Sequence, residues 1–201
     1  HPRMERALRL LASGAVGEVR SVRSVFTFLF DAASDDYRWR PECGGGSLYD
    51  VGCYPVSVAR LVFGAEPVSV FARARLHPKH RVDVEAELLV EFPGERFAAL
   101  SCGFESPFRS SLEVAGSEGR LSLERAFSAK HFDTEIRLMK GDRTRVIPFP
   151  ATDQYTRMVE HFGECGLRGR PLRFPPGDAL ANMRVLDAAF RSIRTGRPVR
   201  L

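Results

Sequence analysis

Between Glu66 and Phe149 apolar residues recur at every second position, and this alternation limits the folds open to the chain more than any other feature. A period of two is the signature of a strand with one face buried and one face wet. The stretch Val82–Phe92 is the clearest case. Val82, Val84, Ala86, Leu88, Val90 and Phe92 fall on one side, and Asp83, Glu85, Glu87 and Glu91 on the other. The preceding stretch places Val68, Val70, Ala72, Ala74 and Leu76 inward and Arg73 and Arg75 outward. A turn at His77–Arg81 brings those arginines opposite the acids, where each cross-strand ion pair adds about 0.2–1 kcal/mol. Further strands are predicted at 96–104, 109–115, 119–124, 131–139 and 143–149, with a turn at Gly116–Gly119. The expected core is a meander of antiparallel strands.

Helical signals lie on either side of this region. Pro2 suits a first turn, Met4, Ala7, Leu8 and Leu11 form one apolar stripe, and Gly14 ends the helix. Val16–Phe30 reads as a long strand and residues 31–46 as a loop. After the strands, Tyr155, Met158, Val159 and Phe162 give a helical stripe. Leu180, Met183, Phe190 and Ile193 give another, with Asp178 the expected N-cap and Gly196 the stop. The pattern predicts an α+β fold: one large, mostly antiparallel sheet with helices packed on one face.

The segment with chemical content is Gly44-Gly45-Gly46-Ser47-Leu48-Tyr49-Asp50-Val51-Gly52-Cys53-Tyr54, which opens a helix closed by Gly64. Asp50 and Tyr54 are four residues apart, so a helix projects an acid and a phenol side by side, an arrangement suited to handling a proton. Spacing alone also permits a helix cap at Asp50 and simple packing at Tyr54. Gly44, Gly45 and Gly46 lack a Cβ, which lets another backbone or a flat ligand come close. The run has neither the G-x-G-x-x-G spacing after a strand nor the lysine of a P-loop, so it is not a phosphate cradle. The upstream loop carries Arg38, a source of fixed donors, and Trp39, the only tryptophan. These two border a substrate pocket or anchor the loop on the sheet. Pro55 requires the helix to begin near Leu48 or to kink.

Composition narrows the function classes. The formal charge is +5, with 27 arginines against 3 lysines. The arginines are spread among acids, with no basic run, which argues against nucleic acid as a partner. The cysteines at 43, 53, 102 and 165 form no C-x-x-C pair, and no metal site is expected. His77 and His80 read as a solvated turn. No apolar stretch has the length of a membrane span, and a cytoplasmic, reduced setting is expected. The first residue is His1, and a helical pattern starts at once, so a preceding segment is expected.

The run Arg38-Trp39-Arg40-Pro41-Glu42-Cys43 through Gly44-Gly45-Gly46-Ser47-Leu48-Tyr49-Asp50-Val51-Gly52-Cys53-Tyr54-Pro55, closing at Phe63-Gly64, resembles the signature of the Gfo/Idh/MocA oxidoreductases. Gly14-Ala15-Val16-Gly17-Glu18-Val19, Gly116–Leu121 and the stretch from Asp178 to Val199 are similar to further parts of that family, in order along the chain. The resemblance covers only the family's second domain, so residues 1–201 are expected to be a single C-terminal substrate-binding and oligomerisation domain. The family's Rossmann domain, with its dinucleotide loop and a catalytic lysine, is absent here.

The resemblance carries further expectations. NAD or NADP is bound mainly by the missing N-terminal domain. Asp50 and Tyr54 are catalytic, Arg38 and Trp39 contact a small sugar-like substrate, and Gly44, Gly45 and Gly46 lie near the cofactor. Tyrosine at position 54 resembles the aldose and dihydrodiol branch. The chain is then half of an oxidoreductase acting on a sugar, polyol or dihydrodiol, inactive when isolated, and a homodimer or homotetramer through its sheet. The rival expectation is a truncated, non-catalytic dimerisation module of the same fold.

Overall fold

The computed structural model describes residues 1–201. Helix α1 (Pro2–Ala12) leads into strand β1 (Val19–Thr27). Two short 3-10 turns, Tyr37–Trp39 and Pro41–Cys43, precede a π-helical turn, Leu48–Gly52, that runs into helix α2 (Cys53–Phe63). Strands β2 (Ser69–Leu76), β3 (Asp83–Phe92), β4 (Arg96–Gly103), β5 (Arg109–Gly116), β6 (Arg120–Glu124), β7 (Thr134–Lys140) and β8 (Arg143–Phe149) follow. Helices α3 (Gln154–Arg168) and α4 (Pro176–Thr195) and a short strand β9 (Val199–Arg200) complete the chain.

The strands form one nine-stranded sheet in the order β8-β7-β6-β5-β1-β4-β3-β2-β9. This corrects the simple meander. Strand β1 lies between β4 and β5, and it is parallel to β4. All other pairs are antiparallel. Alternation tells which way side chains point but not which strand is the neighbour, so an inserted early strand leaves no trace in the pattern.

Most of the inward positions end on the helical face, but Val68 and Leu76, read as inward, are exposed. Val70 and Ala72 of β2, Val84, Ala86, Leu88 and Val90 of β3, Ala98 and Leu100 of β4, Val22 of β1, Leu112 and Val114 of β5, and Leu121 and Leu123 of β6 are all buried. Helix α4 packs over β2, α2 over β1 and β4, and α1 over β7. Burying a Leu or Val side chain contributes about 1.5–3 kcal/mol. Truncating Leu100, which is fully enclosed, to alanine removes about 2–5 kcal/mol because a cavity remains. No helix is long and apolar enough to cross a membrane.

Buried polar groups tie the layers together. The Arg60 guanidinium on α2 donates to both carboxylate oxygens of Glu66 (2.8 and 2.7 Å) and to Asp178 of α4 (3.0 Å). This corrects the expected helix cap: Pro175 is the N-cap of α4, and Asp178 is spent on Arg60. Arg3 of α1 is buried and donates to the carbonyls of Glu124 and Arg125 at 2.6 and 2.7 Å. Burial lowers its pKa to about 10.

Asp83 is a third correction. The alternation places it outward with Glu85 and Glu87, yet it is buried. The β2–β3 register slips between Arg75 and Leu76, so Leu76 opposes Asp83. A one-residue bulge turns the side chain from the wet face to the covered one. The rest of the hairpin register is as expected: Arg73 opposes Glu87 and Arg75 opposes Glu85, with an Arg75–Glu85 ion pair at 3.1 Å.

Candidate active site

The π-helical turn gives Asp50 and Tyr54 their setting. Proline has no N–H to donate, so Pro55 cannot close an α-helical bond back to Val51, and the widened turn ahead of α2 accommodates that loss. Asp83 holds the start of this turn. Its carboxylate accepts from the Ser47 hydroxyl (2.8 Å) and the Leu48 N–H (2.6 Å). Gly52 lets the turn press onto β4, since a Cβ there would stand 2.9 Å from the Cys102 sulfur.

Neither Asp50 nor Tyr54 is sealed inside. The Asp50 side chain keeps 15% of its surface, and Tyr54 is 44% exposed. The Tyr54 ring leans on Phe26 of β1 (centroids 5.4 Å apart, 70° between planes) and on Phe127 beyond β6 (5.7 Å, 44°). Phe127 is itself fixed, with its N–H donating to the Ser110 hydroxyl (2.9 Å) and its carbonyl accepting from Gln154 (3.0 Å). The Tyr54 phenol makes no hydrogen bond within the chain. Partial burial raises the Tyr54 pKa, and Cys53, Tyr155, Asp50 and Tyr37 push it the same way. The phenol is therefore protonated at neutral pH. Burial, then Asp50, pushes the Cys53 thiol up to about 11, so it is no nucleophile.

Arg38 stands at the site but is engaged. Its Nε lies 3.0 Å from an Asp50 oxygen, and its other arm contacts Asp36 at 3.1 Å. Burial works against the charge, but Asp50 and Asp36 outweigh it and hold the pKa above its ordinary value. Its guanidinium also rests over the Tyr37 ring, 4.7 Å from the centroid. Arg38 thus sets the direction of the Asp50 side chain.

The structure does not bring Trp39 to this site. The indole is 4% exposed, stacked on Phe30 (5.4 Å, 20°) and flanked by His80 (5.0 Å). Its N–H donates to the Asp31 carbonyl at 2.9 Å. No ring face is left for a sugar, and Trp39 anchors the loop. His77 and His80, expected in solvent, pack against it.

The glycine run also turns inward. A Cβ on Gly45 would stand 2.5 Å from the Arg38 carbonyl oxygen, and one on Gly46 (φ +107°) would stand 2.2 Å from an Asp83 oxygen. The close approach is taken by the chain itself, not by a cofactor. Gly44 is exposed and closes the 3-10 turn with φ +71°. Phe26, Phe127, Tyr37 and Tyr155 complete the surroundings of Asp50 and Tyr54, and sequence reasoning missed all four. They arrive from separate elements, and no local spacing links them to position 54. No group of three His, Cys, Asp or Glu side chains is placed to hold a metal ion.

A mostly antiparallel open sheet, helices on one face, and an acid–phenol pair over its central strands define a class of α+β domains. The match of the GFO/IDH/MocA C-terminal domain to residues 4–122 makes the assignment specific: the chain belongs to the Gfo/Idh/MocA family. It is 34% identical over 202 residues to D-xylose 1-dehydrogenase (NADP(+)) 2 of Haloferax volcanii, covering 100% of this chain and 62% of that protein. It is 29% identical over 197 residues to a dTDP-3,4-didehydro-2,6-dideoxy-alpha-D-glucose 3-reductase of Actinomadura kijaniata, covering 98% of this chain and 58% of that enzyme. A crystal structure of a 3-ketoreductase from that organism, with NADP and TDP-benzene, superposes with a TM-score of 0.89 at 28% identity, covering 96% of this chain and 59% of that one. The aldose-aldose oxidoreductase of Caulobacter crescentus, complexed with glycerol, gives 0.87 at 29% identity, over 97% of this chain and 59% of that one. The chain spans about three fifths of the length of the curated relatives it matches (60% and 62%).

Proposed function

We propose that residues 1–201 form one domain, the substrate-binding half of an NAD- or NADP-dependent oxidoreductase acting on a sugar, polyol or dihydrodiol. The observation that carries this reading is the hydroxyl of the half-exposed Tyr54, free of any partner in the chain and near Asp50. A phenol left unpaired on an exposed side chain is available to a ligand. The named activities of the relatives support the same reaction class.

The residues fit the reacting end of a nicotinamide and not its phosphates. Phe26 and Phe127 give a flat apolar wall beside Tyr54, whereas Gly45 and Gly46 offer no open backbone to a pyrophosphate. When bound, the nicotinamide supplies hydride chemistry. The chain's own contribution is proton handling and orientation. Asp50, oriented by Arg38, accepts a hydrogen bond from a substrate hydroxyl and fixes its pose. Tyr54 carries its proton at the phenolic oxygen and delivers it to a carbonyl oxygen as reduction proceeds. In the oxidative direction it must accept a proton, which needs a nearby cation to lower its pKa. Arg38 is spent on Asp50 and Asp36, so that cation comes from outside this chain.

Fluorescence titration with NADPH tests the division of labour. The 201-residue chain gives no saturable signal, and the full-length protein carrying a nucleotide-binding half does. Tight, saturable binding to the 201-residue chain contradicts the half-enzyme reading.

A further inference from the structure

A cleft of about 810 Å³ lies on the other side of the π-helical turn, between α4 and the β9 end of the chain, and shares no residue with the Asp50–Tyr54 site. Its volume is within the range of small-molecule sites, about 300–1,000 Å³. Tyr49 and Phe190 line it, with their ring centroids 4.7 Å apart and planes at 43°. Arg184, Arg191 and Arg194 of α4 line it too, joined by Arg200 of β9.

None of the four arginines makes an ion pair or a side-chain hydrogen bond, although thirteen ion pairs form elsewhere. Two carboxylate side chains share the cleft, and the terminal residue Leu201 also lines it. Glu66 is already held by Arg60 through two hydrogen bonds, and that pairing keeps its pKa low. Asp187 lies beside the Tyr49 phenol, whose pKa is raised by burial first and by Asp187 second. The cleft therefore has an excess of unpaired guanidinium groups around an aromatic floor. Guanidinium forks match phosphate oxygens two at a time, and a concave wall of one charge sign concentrates counter-ions.

We propose that this cleft binds a phosphorylated planar ring compound of nucleoside-monophosphate size. The ring lies against Phe190 and Tyr49, and the phosphate is held by arginines of α4 with Arg200. The proposal does not depend on the redox reading, and its assay involves no turnover.

Adenosine monophosphate, adenosine and inorganic phosphate are titrated separately into the 201-residue chain, with binding followed by calorimetry. The nucleotide is expected to saturate and to bind at least about tenfold more tightly than either fragment, because ring and charge contribute together. Arg184→Ala with Arg194→Ala weakens it by about tenfold or more through lost charge-assisted hydrogen bonds, with the melting temperature unchanged. Arg143→Ala with Arg145→Ala, exposed arginines on β8, leaves it intact. The proposal is overturned by no saturable binding, by phosphate alone binding as well as the nucleotide, or by equal losses in both double variants. Binding that disappears in the full-length protein also overturns it, since the cleft is then a seam between domains.

Discussion

Asp83 shows how one residue can support the site without touching a ligand. Its buried carboxylate accepts from Ser47 and Leu48 and so holds the first turn that carries Asp50. Desolvation raises its pKa, and the two donors only partly offset this. An acid whose pKa is higher in the folded state favours folding below its unfolded value, and that advantage fades as pH rises through the folded value. Replacing Asp83 with alanine strands the Leu48 N–H and the Ser47 hydroxyl, at a cost of about 1–3 kcal/mol. Denaturant unfolding of the wild type and Asp83→Ala across the acid range is expected to show the largest gap at low pH and a smaller one as pH rises. A gap that widens with pH contradicts this account. Alternation put Asp83 outward because it counts positions and cannot see the bulge that shifts them. Trp39 and Gly46 were hidden in the same way, since what they touch is remote in sequence. Asp50 and Tyr54 were legible because both lie on one continuous turn, where spacing fixes direction.

At the level of elements, the sheet keeps one face bare. Phe71, Leu89 and Ala99 stand opposite one another across β2, β3 and β4, and Leu89 is 50% exposed. Phe97, 42% exposed, adds to the same three strands. An apolar row across three adjacent strands is the kind of surface that pairs with a second copy. Assembly through this face predicts that Leu89→Asp with Phe97→Asp shifts the full-length protein toward monomer in sedimentation velocity while the circular dichroism spectrum is kept. An unchanged sedimentation coefficient places the contact elsewhere. Strand positions were legible to within a few residues, because each carries its own alternation. The place of β1 between β4 and β5 was not, because pairing is decided by the fold as a whole.

Across the whole molecule, the sheet and its helices bring together side chains that no segment contains alone. Phe26 comes from β1, Phe127 from beyond β6, Tyr54 from α2 and Tyr155 from α3. Helix α3 leaves Met158, Val159 and Phe162 largely exposed, so the expected stripe exists without a cover in this chain. The sequence motif located Asp50 and Tyr54, and the folded chain supplies the aromatic wall beside Tyr54 and the Arg38 contact to Asp50. The central claim is that the Tyr54 hydroxyl moves a proton during hydride transfer. Steady-state turnover of the full-length protein and its Tyr54→Phe variant, with the NADPH dissociation constant measured alongside, tests this most directly. The account predicts a fall in kcat of about 10²–10⁴-fold, the usual contribution of a positioned acid–base group, with cofactor affinity unchanged. Equal turnover in the two proteins would contradict it and leave Tyr54 as packing against Phe26 and Phe127.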